Sequence, residues 1–300
     1  MIFKPDFYCL DAGLCNFQNE ECYIVIWCSR KNGDKVASLY RKSDREEILI
    51  QKIGERQFVT SSSFNVLSQS LKVLEVRDLL PELPYSSFVL KFFDLLNGKL
   101  ITQTHTPKSS YNKFLISKEK GGGLVLAFMY YEEEDEYNDL PLGITLLEYD
   151  SNLMLVNSKD HPFNKTTPQM INYFCSASTS SDISVLVESE DSDAWLYTFS
   201  LDTLGLIKRR KLIPEGGGFG YIRAMAIKDD TAFLISANWT LFEVALHNST
   251  EISRKRLNFT GDKIPSVLFW DDYQWLAGGN YEKVGKIISN AESFILSIED

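Results

Sequence analysis

Apolar and polar positions along this chain fall into one short pattern that keeps returning: an apolar strand, a turn and a second strand. It reads Leu90-Lys91-Phe92-Phe93-Asp94 then Asn97-Gly98-Lys99-Leu100-Ile101, and again Leu146-Leu147-Glu148-Tyr149-Asp150 then Leu153-Met154-Leu155-Val156. Further copies are Trp195-Leu196-Tyr197-Thr198-Phe199 with Leu206-Ile207-Lys208-Arg209-Arg210, and Leu241-Phe242-Glu243-Val244-Ala245 with Ile252-Ser253-Arg254-Lys255-Arg256. Successive copies lie roughly 45 to 55 residues apart, a spacing longer than that of most helical repeats.

With four antiparallel strands per repeat, the chain divides into six repeats of about 50 residues. The first uses Asp6–Leu10, Cys22–Cys28, Val36–Tyr40 and Glu47–Gln51, and the second begins near Arg56 and ends in the Phe88–Thr104 hairpin with its Asn97-Gly98 turn. The third takes Asn112–Ser117, Gly123–Tyr131, Gly143–Tyr149 and Leu153–Asn157. The fourth takes Met170–Ser176, Ile183–Glu188, Ala194–Phe199 and Gly205–Lys211. The fifth takes Tyr221–Ile227, Ala232–Ser236, Trp239–Ala245 and Glu251–Leu257. The last takes Ile264–Trp270, Tyr273–Leu276, Lys283–Ser289 and Ser293–Ile298. Helical spacing is confined to Ser68–Leu80 and a turn near Asp44–Glu47.

A lone four-stranded sheet cannot cover both its faces, so each repeat must find its core on its neighbours. Tyr23, Val25 and Trp27 alternate with Ile24 and Ile26, so both faces of that strand are apolar, as in a sheet held between two others. On these grounds the chain resembles β-propeller proteins over essentially its whole length, at the level of architecture. The Gly-His and Trp-Asp dipeptides of Trp-Asp repeats do not stand at the corresponding places, and Gly278-Gly279 is similar to the kelch pattern in a single repeat. The expected fold is all-β: a six-bladed propeller of four-stranded antiparallel blades, with seven blades as the runner-up count. Residues 1–300 are expected to form one domain.

The formal charge of -10 argues against general nucleic-acid binding, which needs a net basic face. Met1–Asp6 lacks the basic-then-apolar form of a secretory leader. No uncharged apolar run of about 18 residues is present. The expectation is a cytoplasmic protein with no membrane partner. Cys9, Cys15, Cys22, Cys28 and Cys175 form an odd set without a CxxC pair. Cys22 and Cys28 share a strand face about 20 Å apart and cannot bridge each other. Reduced, buried thiols are expected.

Chemistry is sparse. The three histidines, His105, His161 and His247, sit in separate turns without HxH or HExxH spacing, and there is no GxSxG elbow. Gly216-Gly217-Gly218-Phe219-Gly220 and Gly121-Gly122-Gly123 match no phosphate-binding pattern and read as tight turns. Lys208–Lys211 and Arg254–Arg256 fall on equivalent last strands, where charge guards a sheet edge against association. No cofactor and no metal are expected; a calcium site at Asp191 and Asp193 would lack a full ligand series.

The distinctive sector is the connection between second and third strands, long or charged in repeats two, three and four: Arg77–Ser87, Glu132–Leu142 and Ser189–Asp193. Two are acidic. The candidate partner-binding residues are Tyr131, Glu132, Glu133, Glu134, Asp135, Glu136 and Tyr137 in one, and Glu190, Asp191 and Asp193 in the other. The function this implies is a non-catalytic interaction module presenting an acidic loop face to a protein partner with a basic surface. Two alternatives stand beside it: a carboxylate-based propeller hydrolase or lyase, glycan-directed, with a small-molecule site at the channel mouth, and a structural or toxin-neutralising binding protein.

Overall fold

The computed structural model describes residues 2–29, 31–54, 62–78, 88–97, 99–105, 111–131, 141–163, 171–189, 193–215, 217–257, 263–270, 275–281 and 292–298. Every element among them is a β-strand. In chain order these are β1 (Ile2–Pro5), β2 (Phe7–Phe17), β3 (Glu20–Ser29), β4 (Lys35–Arg41), β5 (Glu47–Gly54), β6 (Ser62–Leu67), β7 (Lys72–Asp78) and β8 (Phe88–Asp94). Then come β9 (Leu100–His105), β10 (Tyr111–Lys120), β11 (Gly123–Tyr131), β12 (Pro141–Tyr149), β13 (Leu155–Pro162), β14 (Ile171–Ser178), β15 (Asp182–Ser189) and β16 (Ala194–Ser200). The last are β17 (Leu206–Leu212), β18 (Ile222–Lys228), β19 (Thr231–Ser236), β20 (Thr240–Ala245), β21 (Thr250–Arg256), β22 (Lys263–Trp270), β23 (Trp275–Tyr281) and β24 (Glu292–Ile298).

These strands make the four-stranded antiparallel blades of a β-propeller. Five blades consist of four consecutive strands in simple up-and-down order: blade 1 (β2–β5), blade 2 (β6–β9), blade 3 (β10–β13), blade 4 (β14–β17) and blade 5 (β18–β21). A sixth sheet is composite, with the order β1-β24-β23-β22. Five blades of consecutive strands therefore stand where six were expected. In the composite sheet β24 is the third strand, not the fourth, and β1 supplies the outer one, with Ile2 opposite Ile295 and Pro5 opposite Glu292. Pro5 has no N–H to give a ladder, which suits an edge position. The expected strand at Lys283–Ser289 lies outside the described residues.

The chain divides into two compact units. One comprises Met1–Leu80, Phe88–His105 and Leu257–Asp300, and the other Pro81–Ser87 and Thr106–Arg256. In the first, Ile24, Ile26 and Leu39 of blade 1 pack with Phe64, Leu71 and Val73 of blade 2. The opposite face of blade 1 gathers Cys9, Tyr23, Val25, Trp27 and Tyr40, with Trp27 edge-on to Tyr40. In the second unit Val125, Ala127 and Met129 of blade 3 meet Val185, Tyr197 and Phe199 of blade 4. The other face of blade 4, with Leu186, Leu196 and Leu212, meets Leu234, Phe242 and Val244 of blade 5. Inner strands are thus buried on both faces: Cys22–Ser29 in β3 and Ile183–Glu188 in β15 contain no exposed position. Each such apolar side chain contributes about 1.5–3 kcal/mol of burial.

That double burial corrects the helical reading of Ser68–Leu80. Val73 and Leu74 are adjacent and both buried because β7 is covered on both sides, so the apolar spacing there is not a helix stripe. Near Asp44–Glu47 the chain turns through Arg45 at φ 64° and enters β5, without a helical turn. All four sequence hairpins are third-and-fourth strand pairs: β8–β9, β12–β13, β16–β17 and β20–β21. Side chains fold the turns of all four: Asp94 accepts from Leu96 N, Asp150 from Asn152 N, Ser200 from Asp202 N and Asn248 from Thr250 N. The residue after the third strand then docks on the first hairpin of its blade: Leu95 N donates to Leu71 O, Leu201 N to Ser181 O and Leu246 N to Asp230 O.

Candidate interaction surface

The acidic connections of blades 3 and 4 both join a second strand to a third, β11 to β12 and β15 to β16, in blades that follow one another within one unit. Tyr131 closes β11, opposite Pro141. Glu132, Glu133, Glu134, Asp135, Glu136 and Tyr137 lie outside the described residues, as do Glu190 and Asp191. Asp193 is described. Its carboxylate accepts from Lys211 Nζ at 2.6 Å, and both groups are nearly half exposed, so this pair holds its charges weakly. The third connection, Arg77–Ser87, begins on β7, ends before Phe88, and is otherwise outside the described residues.

The roots of the second connection are fixed by a residue that the charge pattern did not single out. Glu188 is buried one residue before the end of β15, and its Oε2 accepts from Ile222 N at 3.0 Å, at the start of blade 5. Burial raises its pKa above the ordinary carboxylate range, and the N–H groups of Ile222 and Tyr221 pull it back. Asp11 does the equivalent work in the other unit. It sits at a bulge of β2, and its Oδ2 accepts from Asn65 Nδ2 at 2.8 Å and Val66 N at 2.7 Å on blade 2. Burial pushes its pKa up to about 6 against those donors. In sequence the only signal for either is a lone carboxylate beside apolar strand residues.

The other candidates have structural employment. The His161 ring nitrogen Nε2 lies 2.7 Å from Leu204 O and the ring packs at 4.8 Å on Phe199; burial lowers its pKa. His247 faces Asp230 at 3.3 Å on the surface, and the side chain of His105 lies outside the described residues. Gly121 and Gly122 turn from β10 to β11 with positive φ, and a β-carbon on Gly123 would fall on the Tyr149 carbonyl. In the glycine-rich link Gly216 lies outside the described residues, and Phe219 is buried edge-on to Phe242. All five cysteines are buried and unbridged, including Cys15 and Cys22, which stand opposite each other. Among the described residues no three metal-ligating groups come together, and no helix is long and apolar enough to cross a membrane.

The fourth strands form the outer edges. Their charge is accompanied by bare aliphatic surface that the edge-guarding reading did not foresee: Leu155 and Val156 on β13, Leu206 and Ile207 on β17, and Ile252 on β21 are all exposed. The basic side chains are partly anchored. The Arg209 guanidinium lies 4.0 Å from the Trp195 ring centre, and Arg254 lies 4.9 Å from that of Phe242. Arg254 also donates to both carboxylate oxygens of Glu251 at 2.8 Å. Burial pushes the Glu251 pKa up, but Arg254 and the Glu215 N–H outweigh it and leave it below its ordinary value.

No protein-family model and no curated protein matches the chain. Solved structures do. The crystal structure of Chaetomium thermophilum Raptor superposes with a TM-score of 0.55 at 10% identity over 98% of this chain, which spans 24% of that one. BamB from Moraxella catarrhalis gives 0.43 at 8% identity, covering 90% of this chain and 80% of its own. KlHsv2 with loop 6CD replaced by a Gly-Ser linker gives 0.44 at 13% identity, covering 98% of each. At such identities the Raptor match speaks for the fold alone, and it agrees with the strand order: the chain is a β-propeller.

Proposed function

We propose that this protein is a non-catalytic interaction module whose acidic second-to-third-strand connections select a protein partner with a basic surface. The observation that carries the reading is positional. The acidic runs Glu132–Glu136 and Glu190–Asp193 join equivalent strands of consecutive blades in one compact unit, so their negative potentials reinforce each other. The scaffold beneath is suited to presentation. Buried β11 and β15 and the Glu188 bridge hold the strand ends, and rigid strands supporting variable connections are a common basis for recognition.

The test is affinity capture on the intact chain, comparing the unmodified protein with one in which both runs are changed to Gln and Asn. Partners retained by the unmodified protein at low salt should be released by salt and lost from the neutralised form. Retention of the same partners with equal affinity by both forms would overturn the acidic-face reading while leaving the fold untouched.

A further inference from the structure

Blades 4 and 5 treat their outer edges differently. Just past β17, Ile213 lies parallel to Thr250 at the start of β21. Ile213 N donates to Ser249 O at 2.8 Å, and Glu251 N donates to Ile213 O at 3.0 Å. Side chains secure the arrangement: Arg254 Nη2 donates to Glu215 O at 2.7 Å, and Glu215 N donates to Glu251 Oε2 at 3.0 Å. A short piece of chain has thus been added to blade 5 as the beginning of a fifth strand.

Blade 4 has no such addition among the described residues. Phe163, the first residue after β13 and so the counterpart of Ile213, turns its ring onto Tyr197 at 5.2 Å and makes no bridge to β17. Apart from the ladder to β16, the backbone of Leu206, Ile207 and Lys208 takes no backbone partner among the described residues. The same edge carries exposed Leu206, Ile207 and Lys208, followed by Arg209, Arg210 and Lys211, with Asp193 as the acid paired to this run.

We propose that the edge of β17 receives an extended acidic peptide from a partner protein as an added strand. The peptide backbone pairs along β17 from Leu206, its aliphatic residues cover Leu206 and Ile207, and its carboxylates face the Lys208–Lys211 run. Three features select this occupant: a ladder of N–H and C=O groups open among the described residues, the half-exposed aliphatic side chains of Leu206 and Ile207, and a local positive run on a chain of net charge -10. The pairing of Ile213 with β21 is the internal precedent for the mode. The proposal rests on the β17 edge and not on the acidic connections, which touch this edge through the Asp193–Lys211 pair.

The experiment uses the full chain and a fluorescent synthetic peptide alternating Glu with Val, with binding read by anisotropy at about 0.15 M salt. A second peptide of the same sequence and charge, N-methylated on alternate residues, cannot form the ladder. The expected result is saturable binding of the first and loss of at least about tenfold in affinity for the second. The variant Ile207→Asp/Lys208→Glu should lose the parent peptide by a similar factor with an unchanged circular dichroism spectrum, and Lys255→Glu on β21 should retain it. Absence of binding by the parent peptide overturns the proposal, as does equal affinity for the methylated peptide or an equal loss in Lys255→Glu. Sedimentation with vesicles of phosphatidylcholine and phosphatidylserine without peptide binding would reassign the edge to a lipid surface and overturn it as well.

Discussion

At the scale of single residues, two carboxylates hold neighbouring blades together in an uncharged-favouring environment, and both leave a signature in pH. The Asp11 pKa rises from 3.8 to about 6 on folding because burial opposes its charge. Between those values the folded chain binds more protons than the unfolded one, so the contribution of Asp11 is greatest below pH 4 and is lost as the pH rises through about 6. Relative to Asp11→Asn, the unmodified protein should lose up to about 3 kcal/mol of stability across that window and no more above it, measured by urea unfolding at a series of pH values. Glu188 has the same sign: burial raises its pKa, so its contribution falls as pH rises through its folded value. Glu188→Gln keeps an acceptor for Ile222 N and should remove the titration. Glu188→Ala strands that buried N–H and should cost about 1–3 kcal/mol in the same measurement.

At the scale of elements, the leucine after the third strand of blades 2, 4 and 5 locks its blade by docking its N–H on the first hairpin and its side chain in the core. Leu201 is buried with Phe199 and Leu204, so Leu201→Ala should destabilise by about 2–5 kcal/mol in thermal or denaturant unfolding, with the strand content unchanged. The strand pairs ending in these turns were legible in the sequence because alternation and turn chemistry are local. Asp94, Asp150 and Ser200 announce the turns they fold. The first strand of blade 1, expected at Asp6–Leu10, runs over Phe7–Phe17 because a bulge between Cys9 and Asp11 interrupts the period. Ser68–Leu80 was misread because two-faced burial gives apolar residues no alternation to distinguish strand from helix. Of the candidate surface, the acidic runs are plain in composition. The carboxylates that fix their surroundings are not, because Glu188 meets a partner 34 residues away and Asp11 one 55 residues away.

At the scale of the whole molecule, we propose that residues 1–300 behave as one domain, which predicts a single unfolding transition with coincident fluorescence and circular dichroism midpoints. Two resolved transitions would assign separate stabilities to the two compact units. The composite sheet makes a second prediction. Deleting residues 2–5 leaves β24 as an open edge and should lower the melting temperature and raise aggregation, both measurable by light scattering during a thermal ramp. The composite sheet also sets a clock. Pro5 and Glu292 are neighbours in space, but nearly the entire chain is synthesised between them. At ribosomal speeds of roughly 5–20 residues per second, β1 waits about 15–60 s for its mate. During that interval β1 is an orphan strand, whereas the strands of blades 1 to 5 each meet a partner next to them in sequence.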